Sequence, residues 1–225
     1  MDGELLKILV MSGTSGSGHV HEHHGGFMLE FAGQTFALDP GQCAYAHSLS
    51  GLMGHCQRHN VLVPVGVEGR PHPDMLDRGR VTGDGPVRRM PMSARGNAKR
   101  FSADVDLTKA WKTYYRKWQR TYESQTPDRL VIRDEYALKK GDGVDFQWLT
   151  QRDIEIEGSC IALSGRRGTV VIEAPDDCEI RVDELPLYNA PGLLLPRTNF
   201  LSRLVIRKQA KSGVLAVNVR LRVGR

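Results

Sequence analysis

Histidine is concentrated in the first third of this sequence. All eight histidines lie between positions 19 and 72: His19, His21, His23, His24, His47, His55, His59 and His72. Imidazole is the commonest metal ligand in proteins and the only side chain whose unperturbed pKa lies near neutrality. The clustering therefore predicts metal binding, proton transfer or both in this part of the chain.

The spacing within the cluster suits a metal ion. The run from His19 to His24 reads H-V-H-E-H-H and leads into a segment with strand-like alternation. Residues i and i+2 project from the same face of an extended strand, so His19 and His21 point together, as do His21 and His23. Because catalytic zinc sites use three protein ligands and keep one position open, further ligands are expected from other strands.

Two residues further along the chain are the best candidates for these ligands. Asp39 follows the predicted strand 34–38, and His59 precedes the apolar run 61–63. Both therefore lie at strand ends, where protein sites are commonly assembled. The spacing predicts a metal site formed by His21, Asp39 and His59, with a purely structural role for these histidines as the alternative.

A predicted hairpin sets a condition on this site. If the strands on either side of residues 32 and 33 form a tight hairpin, Asp39 lies opposite the second glycine of the pair 25–26. That place is nearer to His24 than to His21. The chain must therefore bend at the glycine pair for His21 to approach Asp39.

Alternation with a period of two residues dominates the rest of the sequence. The segments that show it are 27–31, 144–148, 154–156, 204–206 and 214–223. Turn residues separate them, with the clearest signals at 32–33, 140–143, 157–158, 165–168 and 175–177. Short alternating strands with regular turns are typical of an all-β protein, an antiparallel β-sandwich. We expect one such domain over residues 1–225.

One stretch suggests a helix. Residues 107–119 carry apolar side chains near the 3.6-residue spacing of an α-helix. A strand over 115–122 is the competing interpretation. The sequence therefore predicts at most one short helix.

The segment from about 66 to 100 is the most basic part of the chain. It is rich in glycine, proline and arginine, and it is predicted to be a long, partly mobile loop. Its cations are Arg70, Arg78, Arg80, Arg88, Arg89, Arg95, Lys99 and Arg100. With a net charge of +5 for the whole chain, this loop favours an anionic partner, polysaccharide or nucleic acid. A solvated loop without a ligand is the alternative.

The remaining composition excludes several classes. The four cysteines, Cys43, Cys56, Cys160 and Cys178, show no close ligand spacing, and each is expected to be a buried thiol. The acidic N-terminus and its short apolar run, interrupted by Lys7, predict no secretory signal. No run approaches the roughly 18 apolar residues that span a bilayer, so no membrane partner is expected.

Three motifs, taken together, resemble the C-terminal β-domain of heparinase II/III-like polysaccharide lyases. They are the run 18–27 with sequence GHVHEHHGGF, the run 39–41 with sequence DPG, and the run 58–63 with sequence RHNVLV. Looser similarity continues through Arg120, residues 127–134 and the terminal strand, so it covers nearly the whole chain. In that family this domain is a supersandwich-like β-sandwich packed against an N-terminal helical toroid.

The resemblance implies a role for each matching residue. His19 corresponds to a histidine that family members place in the catalytic cleft. His21, Asp39 and His59 correspond to the ligands of a metal ion, usually zinc. Arg58, the first residue of the third motif, and Tyr45, which follows the second, are predicted to contact substrate, although packing is the competing role for Tyr45.

One part of the motif departs from the family. Family members often carry a small residue and an aspartate where this chain has Glu22 and His23. The roles of His23 and His24 are therefore open, and either residue could displace or supplement a ligand.

The implied function is β-elimination on an anionic, uronate-containing polysaccharide such as a glycosaminoglycan or alginate. No nucleic-acid partner is then expected. The toroid supplies further catalytic groups in the family, and this chain has no segment resembling it. We therefore expect the catalytic set to be incomplete in this chain alone, and a toroid encoded upstream or separately to be its partner. The family is often exported, which implies the periplasm or cell envelope.

Two alternatives stay open. The first is a non-catalytic carbohydrate-binding or structural sandwich that a metal stabilises. The second is a metal-dependent hydrolase of sandwich or cupin type, in which zinc itself activates water.

Overall fold

The computed structural model describes residues 6–11, 21–41, 50–74, 90–97, 99–186 and 200–224. Within these ranges the protein is built almost entirely of β-strands. The strands are β1 (Lys7–Val10), β2 (Phe27–Phe31), β3 (Gln34–Ala37), β4 (Leu62–Val65), β5 (Met92–Gly96), β6 (Phe101–Asp106), β7 (Tyr115–Thr126), β8 (Arg129–Leu138), β9 (Gly143–Thr150), β10 (Asp153–Glu157), β11 (Cys160–Ser164), β12 (Gly168–Glu173), β13 (Glu179–Pro186), β14 (Phe200–Lys208) and β15 (Ser212–Val223). The helical elements there are α1 (Ser50–Met53) and a 3₁₀ turn (Cys56–Arg58).

The strands form three sheets in which each pairing is antiparallel. The largest sheet has the order β10-β11-β12-β15-β8-β7-β6-β5, the second has the order β13-β14-β9-β4, and the third has the order β1-β2-β3. Buried apolar side chains from all three sheets, among them Phe27, Trp118 and Phe146, pack into one large core. The predicted all-β antiparallel sandwich is confirmed. Among the described residues no helix has the length and apolar character needed to cross a membrane.

The strands differ in how many faces they bury. In β15, Leu215, Val217 and Val219 are buried while the residues between them are partly or fully exposed, as its alternation predicted. In β9, an interior strand of its sheet, all eight residues are buried, since Phe146 and Trp148 pack into the large core and Leu149 packs into a second, smaller apolar cluster. On this strand Asp145 accepts hydrogen bonds from Arg181 and Arg207, whereas Oε1 of Gln147 is buried and has no hydrogen-bond partner among the described residues.

The helix predicted over residues 107–119 does not form. Residues 108–114 are turns, and strand β7 begins at Tyr115, so the competing strand interpretation is confirmed. A register shift between Tyr115 and Lys117 adds one residue to the strand and puts both Tyr115 and Trp118 inside. Because of this bulge, two residues three positions apart face the same side of the strand, as they would in a helix. The apolar spacing of this stretch therefore resembled that of a helix.

The basic segment is not a loop throughout. Strand β5 lies within it and pairs with β6 at the edge of the large sheet, while residues 75–89 lie outside the described part. The cysteine prediction holds for Cys56, which is buried, but is wrong for Cys160, which is exposed on β11; Cys178 is half-buried. Cys43 lies outside the described residues.

Candidate metal centre

A glycine turn folds the histidine segment back over the sheet. The N–H of Gly26 donates to the carbonyl oxygen of His23 at 2.7 Å, which closes a four-residue turn. Gly25, the third residue of the turn, has a φ of +87° in the left-handed region. A Cβ there would lie 2.4 Å from Cδ1 of Leu107, so the position also excludes larger residues sterically. The predicted bend at the glycine pair is confirmed.

The hairpin that follows brings Asp39 to the same place. Strands β2 and β3 are joined by a two-residue turn in which Ala32 and Gly33 both have positive φ, the geometry that tight hairpins require. A β-bulge between Leu29 and Glu30 shifts the register. The chain leaves β3 toward Asp39 close to the start of β2.

The buried amide of Asn60 fixes these segments to one another. Its Nδ2 donates to the carbonyl oxygens of Phe27 at 2.6 Å and Leu38 at 3.0 Å, and its Oδ1 accepts from the N–H of Leu149 at 2.6 Å. One side chain therefore joins the start of β2, the end of the hairpin and strand β9. Because His59 precedes Asn60 and Asp39 follows Leu38, the clamp places His59 and Asp39 side by side.

Three imidazole rings converge above this clamp. The ring centroids of His21 and His23 each lie 5.3 Å from that of His59 and 5.8 Å from each other. One ring nitrogen from each residue lies within 4.8 Å of the other two. Zinc bound at 2.0–2.1 Å holds tetrahedral nitrogens about 3.4 Å apart, so small ring rotations would complete the coordination.

The two nitrogens of His59 have different surroundings. Nδ1 is hydrogen-bonded to Oδ2 of Asp39 at 2.8 Å, and Oδ1 of Asp39 accepts from the N–H of Gly41 at 2.9 Å. Nε2 is buried and has no hydrogen-bond partner among the described residues, and the same is true of Nδ1 of His23. A carboxylate on one imidazole nitrogen orients the ring and leaves the other nitrogen for a metal.

The surroundings favour the neutral form of His21 and His23. Burial, followed by the neighbouring His59, lowers the pKa of His23 to about 4 and also lowers the pKa of His21. Although burial alone would raise the pKa of Asp39, the hydrogen bond from His59 and the electrostatic interaction with that ring lower it. Neutral imidazole beside carboxylate is the ionisation state in which these groups bind a metal.

Glu22 is a buried carboxylate that the sequence argument did not identify. Its Oε2 accepts from the N–H of Cys56 at 2.8 Å and forms an ion pair with Arg70. Its own N–H donates to the carbonyl oxygen of Gly54 at 2.8 Å. Glu22 therefore ties the histidine segment to the turn before His59. Its position between His21 and His23 was the available signal, because the middle residue of H-x-H projects the opposite way.

Most of the other predicted site residues lie outside the described part of the chain. His19, Tyr45 and His47 lie outside the described residues. Arg58 is buried, and its Nη1 donates to the carbonyl oxygen of Pro186 at 2.6 Å. Its substrate-binding role stays a prediction.

His24, His55 and His72 are the other described histidines, and none of them belongs to the group of three converging imidazoles. His24 is fully buried, its ring stacks on His23 at 5.9 Å, and neither of its nitrogens has a partner in the described ranges. Burial, followed by His23, lowers its pKa to about 4. His72 lies apart, with Nδ1 3.1 Å from the carbonyl oxygen of Pro73 and its ring facing Tyr114.

Comparison with known families gives one match over nearly the whole chain. The family described as "Heparinase II/III-like, C-terminal" matches residues 2–212. A search of curated protein sequences gives no match.

Solved structures share the fold. Heparan sulfate lyase HepC from Pedobacter heparinus superposes with a TM-score of 0.70 and 11% identity, covering 96% of this chain and 33% of that one. A crystal structure of heparinase III gives a TM-score of 0.70 and 12% identity, covering 97% of this chain and 33% of that one. The chain therefore spans about a third of the length of these proteins.

Proposed function

Because this chain belongs to the heparinase II/III-like C-terminal family, we propose that it is the β-sandwich domain of a polysaccharide lyase and that its histidine cluster binds zinc. The observation that carries the zinc proposal is the convergence of His21, His23 and His59, because His23 and His59 each have a buried ring nitrogen without a partner among the described residues. Three imidazoles and a neighbouring carboxylate match the donors that zinc prefers. When bound, the ion would hold the cleft wall rigid.

The proposed ligands are supported by the geometry of the site and by the resemblance to the family. His21 and His59 are supported by both. His23 is supported by its position in the triangle, and Asp39 by the correspondence with the family and by its bond to Nδ1 of His59. We assign the three histidines as ligands and Asp39 as the carboxylate that orients His59. An Asp39 that rotates onto the ion is the alternative, and it makes a different prediction for Asp39→Asn, given below.

The substrate class we propose is an anionic, uronate-containing polysaccharide. One structurally similar protein is named a heparan sulfate lyase. β-Elimination needs a base for the proton at C5, neutralisation of the adjacent carboxylate and an acid for the leaving oxygen. We propose that His19 is the base or acid and that a helical domain of the family type supplies the other groups.

The charge of the basic segment supports an acidic ligand. Arg95, Lys99 and Arg100 are exposed next to the edge strand β5. Arg70 is instead paired with Glu22 and contributes to the histidine segment. Heparin and alginate should therefore bind with an affinity that falls as salt rises, because exposed charges are screened within about 10 Å at 0.1 M salt. Equal binding of a neutral glucan would contradict an acidic ligand.

The decisive experiment measures the unsaturated product by its ultraviolet absorbance. The chain alone should turn over slowly, since missing acid/base groups cost about 100- to 10,000-fold. Adding a matching helical domain should restore the product, and His19→Ala should abolish it while leaving zinc bound. New reducing ends without ultraviolet absorbance would indicate hydrolysis and overturn the lyase proposal. Rapid turnover by the chain alone would contradict the proposed division of catalytic groups.

A further inference from the structure

A buried ion pair lies directly beneath the histidine cluster. Arg120 on β7 and Asp134 on β8 are register partners, and both side chains are 0% exposed. Nε and Nη2 of the guanidinium donate to the two carboxylate oxygens at 2.8 and 2.6 Å. The indole N–H of Trp118 donates to the same carboxylate at 2.6 Å. The pair is therefore bidentate, neutralised and anchored in the largest sheet.

The third guanidinium nitrogen is not bonded to Asp134 and instead contacts the two segments that carry the histidines. Nη1 of Arg120 donates to the carbonyl oxygen of Gly25 at 2.7 Å and to that of Asn60 at 3.1 Å. Gly25 lies in the turn that follows His23, and Asn60 follows His59. One nitrogen therefore connects the two segments that carry the converging imidazoles.

Two aromatic donors reinforce the first of these segments. The hydroxyl of Tyr122 donates to the carbonyl oxygen of Gly25 at 3.3 Å, and the indole N–H of Trp111 donates to that of His24 at 3.2 Å. Tyr122 and Arg120 are both on β7. The turn that carries the histidines is therefore held by hydrogen bonds from β7 and from the turns that precede β7 in the chain.

Only arginine offers donors in this arrangement. A guanidinium presents five N–H groups in a rigid fork, so it can grip a carboxylate with one edge and two carbonyls with the remaining nitrogen. A buried ion pair adds little stability over apolar residues of similar volume, because desolvation offsets the attraction. The geometry that the pair imposes is therefore a better account of its presence than stability.

We propose that the Arg120–Asp134 pair is a positioning element of the metal centre, which sets the distance between the turn after His23 and the segment of His59. The inference rests on the proposed zinc site. Neither residue is assigned as a ligand or as a group that touches substrate.

The test compares a double variant with a matched control. Arg120→Met with Asp134→Leu removes both charges together, which should preserve folding. Zinc affinity, measured by competition with a chromogenic chelator, should fall about 10- to 100-fold, the loss typical of groups that orient metal ligands. The visible spectrum of the cobalt-loaded protein should also change. The control Tyr136→Phe removes a part-buried hydrogen bond from β8 to the carbonyl oxygen of Ala210, which does not involve the histidine segments, and should change neither readout.

Each outcome bears on the proposal. A folded double variant with wild-type zinc affinity and cobalt spectrum would overturn it. Should the double variant not fold, Arg120→Lys keeps the charge but cannot reach the carboxylate and both carbonyls, and the same losses are expected.

A wild-type protein that bound no zinc would refute the metal proposal but leave the positioning claim testable. In that case the imidazole resonances of His21 and His59 should shift or broaden in the double variant and stay unchanged in Tyr136→Phe. Unchanged resonances in the double variant would overturn positioning.

Discussion

Two buried polar clusters lie side by side in this protein, and they differ in how completely their hydrogen bonds are made. In the Arg120–Asp134 pair each guanidinium nitrogen donates to an oxygen. In the histidine cluster, buried nitrogens of His23, His24 and His59 have no partner among the described residues. Leaving a buried polar atom unpaired costs about 1–3 kcal/mol. The polypeptide itself satisfies the hydrogen bonds of the first cluster. The second cluster has buried nitrogens with which a further group could bond.

The strongest test of this difference between the clusters is to remove the proposed zinc ligands. His21→Ala and His59→Ala should each reduce zinc from about one ion per chain to a trace, because zinc needs at least three protein donors. Elemental analysis after gel filtration measures this, with His72→Ala as a control distant from the cluster. Wild-type zinc content in either variant would refute the assignment.

Asp39→Asn separates the two roles proposed for that carboxylate. If Asp39 orients His59, zinc content at saturation should persist and affinity should fall about 10- to 100-fold. Loss of stoichiometric zinc would instead make Asp39 a ligand, as the spacing and the resemblance predicted.

The next largest effect, on stability, should come from removing one partner of the Arg120–Asp134 pair. Asp134→Leu alone leaves the Arg120 charge buried without its partner, which should lower the free energy of unfolding by about 3–5 kcal/mol. Urea denaturation of the metal-free protein measures the loss. The double variant with Arg120→Met should recover most of it. A double variant as unstable as the single one would show that the pair itself stabilises the fold.

Acid should destabilise the metal-free protein by protonating the histidine cluster. The folded pKa of His23 and His24 is about 4, below the ordinary value of 6.5, so the unfolded chain binds more protons between these values. The stabilisation is therefore fully present above pH 6.5 and is lost as the pH falls toward 4. Urea midpoints at pH 7, 5.5 and 4.5 should decline in the wild type and decline less in His24→Leu. Parallel declines would contradict this origin.

The smallest effect should follow from replacing His24. This ring is fully buried and neither nitrogen has a partner among the described residues, so His24→Leu should leave the stability of the metal-free protein at pH 7 unchanged or slightly higher. Thermal unfolding measures it. A large loss of stability would mean that a residue outside the described ranges pairs with this ring.

Local patterns predicted much of this molecule. The alternation of residues 214–223, the turn at Ala32-Gly33 and the bend at Gly25-Gly26 depend on neighbouring residues, and the structure contains all three. The proximity of Asp39 to His59 followed from both residues lying at strand ends.

Long-range partners were not predictable in the same way. Arg120 is an inward residue of a strand, and the sequence does not show that Asp134, Gly25 and Asn60 surround it. The spacing of Tyr115 and Trp118 resembled a helix because a bulge shifts the strand register. Pairing across sheets decides both features, and it is a tertiary property.

The contacts of Arg120 also determine when the site can form. They join residues 95 and 60 positions apart in sequence, and the bond from Asn60 to Leu149 spans 89 positions. A growing chain that has reached residue 74 already contains all eight histidines but none of the strands from β5 onward. At ribosomal rates of about 5–20 residues per second, roughly 4 to 15 seconds pass before Leu149 is made. During that interval the segments that carry the histidines lack the contacts to β7 and β9 that hold them together in the folded protein.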